Sequence, residues 1–81
     1  MYIAVSAIQI NYNPGAYNIQ GTVVSSGGTN TGFEVFVDDN ATAEDLNSAI
    51  AEAARGKCRE NSENIDTDQA VTIFGGAVQV S

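Results

Sequence analysis

Eighty-one residues with ten acidic and three basic side chains carry a formal net charge of −7, enough chain for one small domain with a modest core. That charge excludes binding to nucleic acid through its phosphates, which needs Lys and Arg. No histidine and a single cysteine exclude a nucleophile–histidine pair, a zinc site and an internal disulfide framework.

Residues 1–11 predict a strand. Ile3, Val5 and Ala7 form one alternating set; Tyr2, Ala4, Ser6, Ile8 and Ile10 form the other, which is also mostly apolar. Pro14-Gly15 signals a turn, since proline presets φ and glycine accepts a positive one. Ala16 to Ser26 read as a second strand with Ile19 and Val23 on one face; Gly21 between them marks a bulge or a close approach. Gly27 to Gly32 is short enough to close an antiparallel hairpin. Phe33, Val35 and Val37 then recur at period two in a third strand, which Asp38-Asp39-Asn40 breaks.

Thr42, with Asp45 three residues on, predicts a capped helix from Ala43 to about Arg59. Leu46, Ile50, Ala53, Ala54 and Cys58 lie on one stripe of it. Glu44 and Asp45 stand in its first turn and Arg55, Lys57 and Arg59 near its last, which complements the helix dipole. Cys58 reads as a small core residue. A polar connection, Glu60 to Asp68, follows, with Ile65 reaching back to the core. The tail Gln69 to Ser81 is β-prone: either one strand kinked at Gly75-Gly76 or a hairpin of Val71–Phe74 against Ala77–Val80. The single strand is preferred, because four-residue arms make a weak hairpin. The expected fold is one α+β domain over residues 1–81, a small antiparallel sheet with one helix on one face, in the order β-β-β-α-β.

All thirteen charges lie between Glu34 and Asp68. One helix covers only one face of a sheet, so Tyr2, Ile8, Ile10 and Val24 are expected on the uncovered side, where another protein chain would meet them. The bland alternative is an open face dressed by Ser, Thr, Asn and Gln.

The sequence assigns no catalytic residue, no cofactor and no metal. Gly27-Gly28 with Gly32 precedes a strand, not the helix that a phosphate-binding loop requires. Asp38, Asp39, Asn40, Glu63, Asp66 and Asp68 supply hard oxygens for calcium, but without the EF-hand glycine and closing glutamate they read as solvated loops. Arg55 to Arg59 is the basic cluster, and the helix dipole accounts for it.

In general character the chain resembles small proteins of bacterial viruses: short, nearly free of lysine, rich in Asn, Gly, Ser and Thr, with uncharged strands. The expected function is therefore that of a non-enzymatic structural or assembly protein, a decoration or tail piece of a bacteriophage virion, acting through an uncharged sheet surface as a homo-oligomer or part of a larger assembly. The alternative is an acidic inhibitor docking on a basic surface of a host nucleic-acid enzyme or defence protein through Asp38, Asp39, Glu44, Glu60, Glu63, Asp66 and Asp68. No run of about 20 apolar residues is present, and Met-Tyr-Ile-Ala lacks the basic start of a signal peptide. The expected location is the cytoplasm of a host cell or the assembled virion, with no membrane contact and no direct nucleic-acid partner.

Overall fold

A computed structural model describes residues 2–74. The elements follow the expected order: β1 Ile3–Asn13, β2 Ala16–Ser25, β3 Asn30–Asp38, α1 Ala43–Glu60 and β4 Thr72–Ile73. Among the described residues, four strands form one sheet in the order β3-β2-β1-β4. β1 with β2 and β2 with β3 are antiparallel, while β4 runs parallel to β1 beside Ala4 and Val5. The chain thus leaves β3, crosses the sheet as α1 and returns at the opposite side. The choice between a kinked tail and a Gly-Gly hairpin falls on residues 75–81, outside the described residues.

The β1–β2 hairpin closes at Asn13 opposite Ala16. Its two-residue loop is possible because Gly15 takes φ 94°, a conformation that glycine adopts without strain. Further along, β1 is irregular. Ser6 pairs with Thr22 and Gln9 with Gln20, so Ala7 and Ile8 together oppose Gly21. This is a β-bulge, and Ala7 sits in it at φ 55°. One extra residue reverses the alternation of side chains. Ile3 and Val5 point to the helix side before the bulge; Ile8 and Ile10 do so after it, packed against the core. The expected placement of Ile8 and Ile10 on the uncovered face is therefore corrected. The expectation assumed an uninterrupted period of two.

The core lies between the sheet and α1. Ile3, Val5, Ile19, Val23 and Phe33 from the strands meet Leu46, Ile50, Ala54 and Cys58 from the helix, and Ile65 closes one end. Gly21 is paired with Phe33 and leaves room for its ring, which crosses the site a side chain would occupy. Each buried Leu or Ile contributes roughly 1.5–3 kcal/mol.

The helix begins as its sequence predicts. Thr42 Oγ1 accepts the Asp45 N–H at 3.2 Å, and Asp45 Oδ2 accepts the Thr42 N–H at 3.0 Å. Gly56 stays inside the helix. The end is a Schellman motif: the Glu63 N–H reaches Cys58 O at 3.0 Å and the Ser62 N–H reaches Arg59 O at 2.9 Å. Ser62 takes φ 66°, where glycine or asparagine is usual.

Candidate functional site

Two features of this frame could bear function: a polar cluster where the helix ends, and the sheet face and edge that the helix leaves bare.

The cluster forms because Ser62 reverses the chain and turns Glu63 back onto the sheet. The Glu63 carboxylate accepts hydrogen bonds from Ser25 Oγ, at 2.9 and 2.7 Å from its two oxygens, and from Thr29 Oγ1. Asn61 Nδ2 donates to Thr29 Oγ1 at 3.2 Å, and the Thr29 N–H donates to Ser25 Oγ at 3.2 Å. Gly27 supplies the space, since a side chain there would collide with the Glu63 carboxylate. The Thr29 hydroxyl, then the Ser25 hydroxyl, hold the Glu63 carboxyl below its ordinary value, against a smaller upward push from desolvation. A serine beside a carboxylate can suggest a nucleophile. Here the Ser25 hydroxyl donates on one side and accepts on the other, and only 5% of the residue is exposed. It ties the β2–β3 loop to the helix end. Cys58, adjoining the cluster, is fully buried.

The acidic residues grouped by sequence do not form one surface. Asp38, Asp39 and Glu44 lie at the start of α1, and Glu60 and Glu63 at its end, about 25 Å away at 1.5 Å per residue. Several are engaged locally. Asp38 Oδ1 accepts the Asn40 N–H at 2.9 Å, Asp39 Oδ2 accepts the Gly15 N–H at 3.2 Å, and Glu60 pairs with Lys57 at 3.4 Å. Asp66 and Asp68 sit on the exposed stretch that runs back beside the helix. Among the described residues, no three of His, Cys, Asp or Glu gather to hold a metal ion. The basic cluster also has a role that the dipole argument missed. Arg55 Nε donates to Gln69 O at 2.7 Å and Arg59 Nε to Ile65 O at 3.3 Å, pinning that returning stretch.

The uncovered face is mostly polar, with Phe36, opposite Asn18, as a large exposed apolar side chain at its β3 margin. Register and pleat place Ser6, Gln9, Asn18, Gln20, Thr22 and Glu34 on it, in cross-strand rows such as Gln9–Gln20–Glu34. Gln20 Nε2 donates to Glu34 Oε2 at 2.8 Å and to Asn18 Oδ1 at 3.1 Å. The Asn18 amide first, and the Gln20 amide second, hold the Glu34 carboxyl below its ordinary value. Of the four residues expected to meet a partner, Val24 is half-buried on this face and Tyr2, just before β1, is 55% exposed; Ile8 and Ile10 are on the other side. Apart from Ala4, Val24 and the exposed Phe36, the expected apolar face thus gives way to the alternative, a face dressed by Ser, Thr, Asn and Gln.

The edge of the sheet is a different surface. Among the described residues, β3 is paired on one side only, to β2, in unbroken register from Asn30 to Asp38. Phe36 stands on it with 68% of its surface exposed. The Asp39 N–H turns inward to Gly15 O, so alternation turns the backbone groups of Gly32, Glu34 and Phe36 outward. At Asp38 the free edge ends, because its carbonyl accepts the Ala41 N–H at 3.0 Å. The sequence signal for this edge was the lack of Lys and Pro between residues 30 and 38.

Compared with known proteins, the chain matches no protein-family model, no curated protein and no solved structure. Among the described residues, no helix is long and apolar enough to cross a membrane.

Proposed function

We propose that this chain is a non-enzymatic structural protein that works by assembling with other copies of itself, as a subunit of a larger particle of the bacteriophage virion type. The observation that supports this reading is the β3 edge. It is nine residues long, without Lys, Pro or a bulge, and carries an exposed phenylalanine. Proteins that live as monomers blunt such edges, because unpaired N–H and C=O groups in a row are a template for another strand. The particle type rests on composition: few charges on the strands, almost no lysine, and many Asn, Gly, Ser and Thr residues.

Solution mass tests the reading. Sedimentation equilibrium over a wide concentration range should give a mass above that of one chain. It should persist in high salt, because backbone pairing and ring burial are not screened. A strict monomer at every concentration overturns the proposal. A mass that falls as salt rises would instead point to contact through the acidic residues.

A further inference from the structure

We infer that the partner at this edge is the β3 strand of a second copy, antiparallel about a two-fold axis through Val35, so that Glu34 of each chain lies opposite Phe36 of the other. This inference rests on the assembly reading above and specifies its geometry.

The register follows from faces and charges. A two-fold perpendicular to the sheet keeps each side chain on its own face. Residues opposite one another must therefore both be even-numbered or both odd-numbered. Among the pairings of β3 with itself, an axis at Glu34 sets two carboxylates directly opposite. An axis at Phe36 sets Glu34 against Asp38. Like charges in opposed positions destabilise a sheet. Axes at Phe33 and at Val35 both avoid the conflict while keeping seven residues of each strand in register.

The Val35 axis makes better use of the edge. It sets Val35 against Val35 and Phe33 against Val37 on the helix side, continuing the apolar layer that already packs on α1. On the open face it lays the Glu34 stem along the exposed ring of Phe36. The Glu34 carboxylate is already drawn toward Gln20 of its own chain, so the ring meets the methylenes. The outward backbone groups of Glu34 and Phe36 then form the two hydrogen-bonded pairs that flank the axis. With the axis at Phe33, Phe36 faces Asn30 and Val37 has no partner.

Single cysteines introduced into the full chain read the axis directly. In the proposed register only residue 35 meets its own copy, at a Cα separation of about 4.5 Å, which a disulfide spans. Residues 34 and 36 stand two positions away from their own copies, beyond disulfide reach. Val35→Cys should therefore cross-link under mild oxidation, whereas Glu34→Cys and Phe36→Cys should not. The unaltered chain, whose Cys58 is buried, is the control.

A second pair of variants leaves the core untouched. Phe36→Lys, opposite Glu34, should preserve association, and Phe36→Glu should weaken it by about tenfold or more. Cross-linking at 34 or 36 in place of 35, or equal effects of Lys and Glu at 36, overturns the register. Association that persists with that outcome leaves the assembly reading standing. A monomeric wild-type chain removes both.

Discussion

Replacing Gly21 with alanine tests how the sheet and core are fitted together. An alanine Cβ there would lie 2.8 Å from Phe33 Cε1, 3.2 Å from Phe33 Cζ and 3.2 Å from the Ser6 carbonyl oxygen. The ring is buried and the carbonyl is backbone beside the bulge, so neither yields easily. Overpacking of this kind costs about 1–3 kcal/mol. Against it stands the gain from removing a flexible glycine from a strand, about 0.5–1 kcal/mol. The balance is a loss of up to about 2.5 kcal/mol, read as a lower urea midpoint by circular dichroism with an unchanged slope. Protein concentration must be held fixed, since association shifts apparent stability. Phe33→Leu removes the ring atoms that collide, so the double variant should be more stable than the sum of the two single losses, by about 0.5 kcal/mol or more. A raised midpoint for Gly21→Ala, or strict additivity with Phe33→Leu, would refute the close approach.

Other changes probe the helix ends. Hydrogen bonds from Thr29 and Ser25 lower the native carboxyl of Glu63, so its stabilisation is full above the unfolded carboxylate value and is lost as pH falls through the lower native one. Glu63→Gln should flatten the acid limb of an unfolding-midpoint titration, and an unchanged limb would count against the cluster. Gly27→Ala should mimic it by pushing the carboxylate away from both hydroxyls. Ser62→Gly relieves a left-handed backbone and should raise stability by about 1 kcal/mol in thermal unfolding, unless the Schellman geometry is wrong. Thr42→Ala deletes the cap and should cost about 1 kcal/mol by the same measurement, whereas Thr42→Ser should be nearly neutral.

The helix and its strand were legible because each carries its signals locally. Thr42 and Asp45 cap, the apolar stripe repeats at helical spacing, and Phe33, Val35 and Val37 alternate. Gly21 was legible as a place where something approaches, though not that Phe33 was the visitor. Two decisive features left weaker marks. The bulge is built on Ala7 at a positive φ, where a glycine would have announced it. Without that sign the alternation carries straight through, and Ile8 and Ile10 land on the wrong face. The chain reversal is likewise built on Ser62 at a positive φ, with no glycine to mark it. Glu63 therefore read as one more solvated acid, although it holds the β2–β3 loop through Ser25 and Thr29.

The bulge also changes what the neutral strands mean. Two isoleucines brought to the helix side leave the other face mostly to amides and hydroxyls, with Phe36 at its β3 margin, so lack of charge is not lack of hydration there. Such a face has little need of a cover away from Phe36, and the proposed association runs through the edge instead. A chain of charge −7 repels its own copies least where charge is sparse. Along β3 only Glu34 and Asp38 are charged, and the proposed Val35 axis keeps them apart while laying the Glu34 stem on Phe36. Added salt should therefore tighten association through this edge, because it screens the repulsion of the helix and loops and leaves the strand pairing intact.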